Sequence, residues 1–187
     1  MSQLELEEYA ENTQTFLLYL VMEILDCAYA TKSTSEHFIA VSHFGTFLQF
    51  AMLLKAIPWA AANGFIGVLF LFFCLFLKKC GLPDDVSSEF KLWQEEEAIL
   101  KGKCTDNLKL AVEHVTGKAL THLSAAKNFK HLDSTVKSIF LTGVGPERFL
   151  HTLQKCGFDP FHKKLLKRDT GLSFRAALAW KAFRSEF

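Results

Sequence analysis

The sequence has no C-x-x-C pair, no H-E-x-x-H or G-x-S-x-G stretch, and no run in which apolar and polar residues alternate. These absences exclude a zincin helix, a hydrolase nucleophile elbow and a half-buried sheet. Proline (4) and glycine (10) are too scarce for a disordered chain of 187 residues. The cysteines, Cys27, Cys74, Cys80, Cys104 and Cys156, are odd in number and read as reduced thiols rather than a disulfide framework. Internal repeats and low-complexity tracts are missing. Residues 1–11 are acidic, unlike a signal or transit peptide, and Ser2 stands where myristoylation needs glycine. Membrane targeting is therefore expected from an internal segment, or from sequence outside this chain.

What the chain does have is one long apolar run. Residues 56–77, A-I-P-W-A-A-A-N-G-F-I-G-V-L-F-L-F-F-C-L-F-L, carry no charge between Lys55 and Lys78-Lys79. That is about the 20 residues a helix needs to cross a bilayer. Trp59, Phe65, Phe70, Phe73 and Leu77 mark the candidate span, and Trp59 suits a membrane interface. The competing reading is the central helix of a soluble bundle, buried on every side. Lys78, Lys79 and Lys91 outnumber Lys55, which for a single span puts the C-terminal side on the cytosol-like or matrix face. Cys80, beside two lysines, is a candidate for S-palmitoylation.

A net charge of +1 hides an asymmetry. Residues 1–100 hold 13 acidic and 5 basic side chains, net −8, and residues 101–187 hold 7 acidic and 16 basic, net +9. The basic residues Lys163, Lys164, Lys167, Arg168, Arg175, Lys181 and Arg184 face only Asp169 and Glu186 in the tail. With Phe174, Trp180 and Phe183 among them, they suit an anionic membrane surface, a nucleic-acid backbone, or a solvated helix face.

In order along the chain, residues 4–30 read as an amphipathic helix. Glu8, Glu11, Thr15, Tyr19, Glu23 and Asp26 form its polar face, and Leu17, Leu20, Val21, Ile24 and Ala28 form the apolar face expected to pack on the protein. Residues 37–54 predict a packed helix with Ser42, Thr46 and Gln49 as a polar stripe, the alternative being one arm of a membrane hairpin. After Pro83, helices are predicted over residues 86–101, after a Thr105 or Asp106 cap, after an Asp133 or Ser134 cap, from Pro146 to Gly157, and over residues 172–187. His114 and His122 lack a third ligand, so no metal site is expected, and pairing of Cys104 or Cys156 with a histidine is not expected either. The G-x-G-P of residues 143–146 resembles a helix-hairpin-helix turn, but an ordinary turn between helices is the preferred reading and nucleic acid is not the expected partner.

Several segments together resemble one family. L-E-E-Y-A-E-N-T-Q-T-F-L-L-Y-L-V-M-E-I-L (residues 6–25) is followed in order by S-H-F-G (42–45), L-L-K-A-I-P (53–58), L-P-D-D-V (82–86), L-T-H-L-S-A-A-K (120–127) and C-G-F-D-P-F-H (156–162). They resemble the mitochondrial complex I assembly factors of the squalene/phytoene synthase-like family. The resemblance implies an all-α fold, the C-terminal part of an isoprenoid-synthase-like helical fold, in two flanking parts (residues 1–55 and 82–187) around an apolar insertion at residues 56–81. In the family's enzymes, two aspartate-rich motifs hold Mg²⁺ against prenyl diphosphates. The place implied for the second motif reads Lys55-Ala56-Ile57-Pro58-Trp59 and holds no carboxylate. The resemblance therefore implies a non-catalytic assembly factor without a cofactor, working with complex I subunits or assembly intermediates at the matrix side of the mitochondrial inner membrane. A membrane-anchored adaptor unrelated to respiration and a prenyl diphosphate-using transferase are the alternatives.

Overall fold

The computed structural model describes residues 2–25, 35–62, 82–129, 132, 134–166 and 171–184. All regular structure among them is helical. The first helix is capped reciprocally: Ser2 Oγ accepts from the Glu5 amide at 3.2 Å and Glu5 Oε2 accepts from the Ser2 amide at 2.6 Å. It runs as α1 (Gln3–Ala10), one wider turn (Glu11–Thr15) and α2 (Phe16–Leu25). That turn is a π-helix. Side chains bond back to the backbone around it, Asn12 Nδ2 donating to Glu8 O at 3.0 Å and Thr13 Oγ1 to Tyr9 O at 2.6 Å.

The wider turn rotates the face predicted for this helix. Its inward residues are Leu6, Ala10, Thr15 and Leu18, with a step of five between Ala10 and Thr15 where a regular α-helix would step three or four. One extra residue turns everything after it by about 100° around the axis. Thr15 is consequently fully buried, while Leu17 (55%), Leu20 (38%), Val21 (40%) and Ile24 (79%), expected to pack inward, are exposed. Ala28 lies outside the described residues.

The longest element is α3 (Ser35–Ala62), 28 residues, with Pro58 inside it. It is long and apolar enough to cross a membrane by length and composition, yet Val41, Phe44, Phe47, Phe50, Leu54 and Ile57 are fully enclosed by the protein, as in a core helix. The packed helix predicted for residues 37–54 is therefore present, and it continues past Lys55, so residues 56–62 extend the core helix, with Ile57 buried. Phe65, Phe70, Phe73, Leu77 and Cys80 lie outside the described residues.

Against α3 packs α6 (Asp106–Lys127), through Leu108, Ala111, Val112, Val115, Ala119 and Leu123. Thr105 caps α6, its Oγ1 accepting from the Leu108 amide at 3.3 Å, and the helix passes through Gly117 without interruption. The single helix predicted over residues 86–101 is instead α4 (Asp84–Glu89), a 3₁₀ turn (Leu92–Gln94) and α5 (Glu96–Leu100), because Lys91 takes a left-handed conformation (φ 51°). That break turns Leu92 and Ile99 into the core and leaves Trp93 68% exposed. The chain then forms α7 (Ser134–Phe140), a 3₁₀ turn (Leu141–Gly143), α8 (Val144–Lys155), the four-residue α9 (Lys163–Leu166) and α10 (Leu172–Arg184). A Cβ on Gly143 would stand 2.6 Å from the Phe44 ring, so Gly143 admits a core phenylalanine rather than forming a phosphate-binding turn.

Candidate functional site

The N-terminal helix and α3 meet through polar side chains. Glu11 and Tyr19 of the N-terminal helix bond to Ser42 and to the Phe38 carbonyl of α3, and Thr15 lies against Gly45. Ser42 Oγ donates to Glu11 Oε2 at 2.6 Å, and the Tyr19 hydroxyl stands 3.0 Å from Glu11 Oε1 and 3.2 Å from the Phe38 carbonyl. Burial, then the Glu11 carboxylate, push the Tyr19 phenol up to about 12. Thr46 Oγ1 donates back to the Ser42 carbonyl, whereas Thr15 Oγ1 and both polar atoms of the fully buried Gln49 have no hydrogen-bond partner among the described residues.

Next to this seam, His43 Nδ1 and His122 Nδ1 are 3.1 Å apart, which requires a single shared proton between the two nitrogens. His122 Nε2 is 4.0 Å from Glu7 Oε1 on α1, and Lys118 of α6 binds the Gln3 side chain. Burial depresses the His122 pKa; Glu7 opposes this, and His43 and Lys118 add to it. The unfolded chain therefore takes up the proton first, and stability present above the ordinary histidine range declines as pH falls through about 6.5. We expect the urea midpoint to drop between about pH 7 and about pH 5.5, and His122→Gln to flatten that dependence. An unchanged slope in the variant would remove His122 from the account.

Trp59, marked in the sequence as part of the candidate span, lies at the other end of α3. Lys55, Pro58 and Trp59, spaced so as to share one face of the helix, line a groove of about 330 Å³ with Phe149 of α8, Pro160 and Leu165 of α9. Trp59 is 43% exposed, and Lys55, Lys163 and Lys164 are exposed, the last two preceding Leu165 on α9. The remaining basic residues divide. Arg175 is exposed on α10, but Lys181 is bound to Glu147, whose other oxygen takes Lys127 at 2.7 Å. Burial pushes the Glu147 carboxyl up, yet hydrogen bonds from the two lysines outweigh it and hold it below the ordinary value. Lys181 is thus a tether between α8 and α10. Arg184 closes α10, its side chain outside the described residues, as are Lys167 and Arg168.

A cysteine–histidine pair also forms. Gly157 (φ 67°) and Phe158 (φ 58°) are both left-handed, and this tight reversal brings His162 Nδ1 within 3.4 Å of Cys156 Sγ. The Lys164 amide donates to the same nitrogen at 3.2 Å, so Nδ1 is an acceptor. Cys104 is held as a thiol, raised to about 12 by burial and then by Asp159. His114 sits apart from the histidine pair, against Phe90 at 5.8 Å between ring centroids. Among the described residues no group of three His, Cys, Asp or Glu side chains is arranged to hold a metal.

The order of landmarks and the all-helical architecture are accounted for by one match: the sequence profile of squalene/phytoene synthase covers residues 1–175. The chain belongs to the squalene/phytoene synthase family. Within this family it is 32% identical over 168 residues to the NADH dehydrogenase (ubiquinone) complex I, assembly factor 6, of Homo sapiens, covering 89% of this chain and 44% of that protein. The Bos taurus protein of that name shares the same identity and coverage. The Drosophila melanogaster homolog is 30% identical over 185 residues, 98% of this chain and 48% of its own. The chain thus spans less than half the length of the curated relatives it matches. No solved structure matches it significantly. For this squalene/phytoene synthase family member, the all-α, isoprenoid-synthase-like fold expected from the sequence agrees with both the match and the structure.

Proposed function

We propose that this chain is a non-catalytic assembly factor for the respiratory NADH dehydrogenase, working at the matrix face of the mitochondrial inner membrane on subunits or assembly intermediates of that complex. The observation that carries it is the face of α3 at residues 55–59, the place implied for the family's second aspartate-rich motif. It presents a cation, a proline ring and an indole to an open groove, where the chemistry of a prenyl diphosphate needs carboxylates around Mg²⁺. The relatives' names supply the task. The apolar run and the exposed lysines beside the groove support membrane contact, with the part of that run beyond Ala62 as the segment that anchors or approaches the bilayer.

Depletion of the protein followed by profiling of respiratory complexes on native gels tests the reading. Mature NADH dehydrogenase is expected to fall, with smaller intermediates accumulating, and to return when the full gene product is restored. Normal assembly after depletion would leave a membrane-anchored adaptor unrelated to respiration. Family membership is the one observation that favours catalysis, so the purified chain is also to be incubated with a prenyl diphosphate and Mg²⁺. Turnover abolished by a chelator would overturn the non-catalytic assignment.

A further inference from the structure

We propose that the groove between the C-terminal end of α3, α8 and α9 is a binding site for an anionic phospholipid, taking one acyl chain along its apolar walls and the phosphate on Lys55, Lys163 and Lys164. It deepens the membrane side of the function proposed above and rests on it only in choosing a bilayer as the setting.

Three observations carry it. First, the lining is amphiphilic in a defined sense: Pro58, Trp59, Phe149, Pro160 and Leu165 supply apolar walls and Lys55 the one charge. At about 330 Å³ the volume is at the small end for ligand pockets, which suits one chain rather than a bulky polar ligand. Second, the charge complements a lipid phosphate. Lys163 and Lys164 are exposed on the turn that supplies Leu165, and the nearest acid in sequence, Asp159, is already engaged: its Oδ1 accepts from the Phe161 amide at 2.9 Å, and it faces the Cys104 thiol. Third, the groove sits where α3 hands over to the most apolar sequence in the chain. Trp59 is in the last turn of α3, which ends at Ala62, and the run from Phe65 to Leu77 follows at once. An indole at the edge of an apolar segment is the arrangement found at a headgroup boundary.

Lysines near an anionic surface are worth about 1 kcal/mol each, so three together correspond to about a hundredfold in affinity. Because they are exposed, that gain should shrink with added salt.

The experiment uses the full chain carrying Trp93→Phe and Trp180→Phe, so that Trp59 alone reports. It is titrated with vesicles of phosphatidylcholine, or of phosphatidylcholine doped with phosphatidylglycerol, each with brominated acyl chains. Bromine quenching of Trp59, stronger and about a hundredfold tighter with the anionic vesicles at low salt, is expected. The combined Lys55→Glu, Lys163→Glu and Lys164→Glu variant should lose that preference and keep whatever affinity the apolar run gives for phosphatidylcholine. Salt titration of the unaltered lysines supplies the same reading without relying on the variant's folding: anionic affinity falling as salt rises supports the site. Trp59 unquenched on bound vesicles, a salt-independent preference, or a folded triple variant that binds like its parent would overturn it. So would a single-stranded oligonucleotide that displaces the anionic vesicles at equal phosphate concentration. No respiratory subunit is present in this assay, so its failure bears on the groove alone, and normal complex assembly after depletion bears on the assembly role alone.

Discussion

Gly45→Ala is expected to destabilise the protein by about 3 kcal/mol, the upper end of what overpacking costs when the neighbour is backbone. A Cβ at this position would meet Thr15 Oγ1 at 2.2 Å and the Thr15 Cα at 2.9 Å. The second contact decides the size of the effect. A side chain can rotate away, but the Cα belongs to the π-turn, whose neighbours are held by Ser42 on Glu11 and by Tyr19 across to the Phe38 carbonyl. The N-terminal helix must therefore move as a body. Urea denaturation should show a lower midpoint with little change in slope. Adding Thr15→Ala removes the hydroxyl clash and an unpaired buried hydroxyl, but leaves the backbone where it is, so the double variant should recover part of the loss and not all. Full recovery would mean that the Thr15 side chain alone sets the approach.

Phe44→Ala is expected to cost about 3–5 kcal/mol, the range for emptying an enclosed aromatic site. Phe44 has no exposed surface, stacks on Phe140 with ring centroids 4.4 Å apart and touches Phe47 at 5.8 Å. Its ring fills the space that Gly143 leaves. The same geometry offers a second-site test. Gly143→Ala alone should destabilise, since its Cβ would lie 2.6 Å from the Phe44 ring, whereas in the Phe44→Ala background it places a methyl group in the cavity and should restore some stability. Additive losses in the double variant would show that the two sites do not share that space.

The sequence disclosed those parts of the fold whose signals are local. The Thr105 cap, Pro146 in the first turn of α8 and the apolar spacing of α6 each act within a turn or two of chain, and the structure places each as predicted. The N-terminal helix was misjudged because its polar residues keep the spacing of a regular α-helix, while the wider turn at residues 11–15 moves them inward. Polar side chains paired across a helix contact also defeat hydrophobic patterning, which puts Glu11 and Tyr19 on the side opposite the face expected to pack. The groove was not legible for another reason: Trp59 and Leu165 lie far apart in sequence, and only the packing of α3 against α8 and α9 joins an apolar entry to a basic turn. The pairing of Cys156 with His162 runs against the sequence expectation because it depends on a non-glycine residue, Phe158, accepting a left-handed conformation.

The wider turn also bears on how relatives of this chain are to be matched residue by residue. A single inserted residue between Ala10 and Thr15 shifts all later positions of that helix by one step in register. Two sequences can then share letters along residues 16–25 while presenting sides about 100° apart to the core. Where a relative lacks the extra residue, a one-position gap belongs inside the helix, a place where gaps are ordinarily penalised. With the gap moved to a loop instead, Thr15 would be compared with a residue at the surface and Leu17 with one in the interior, and substitutions at both would be misjudged.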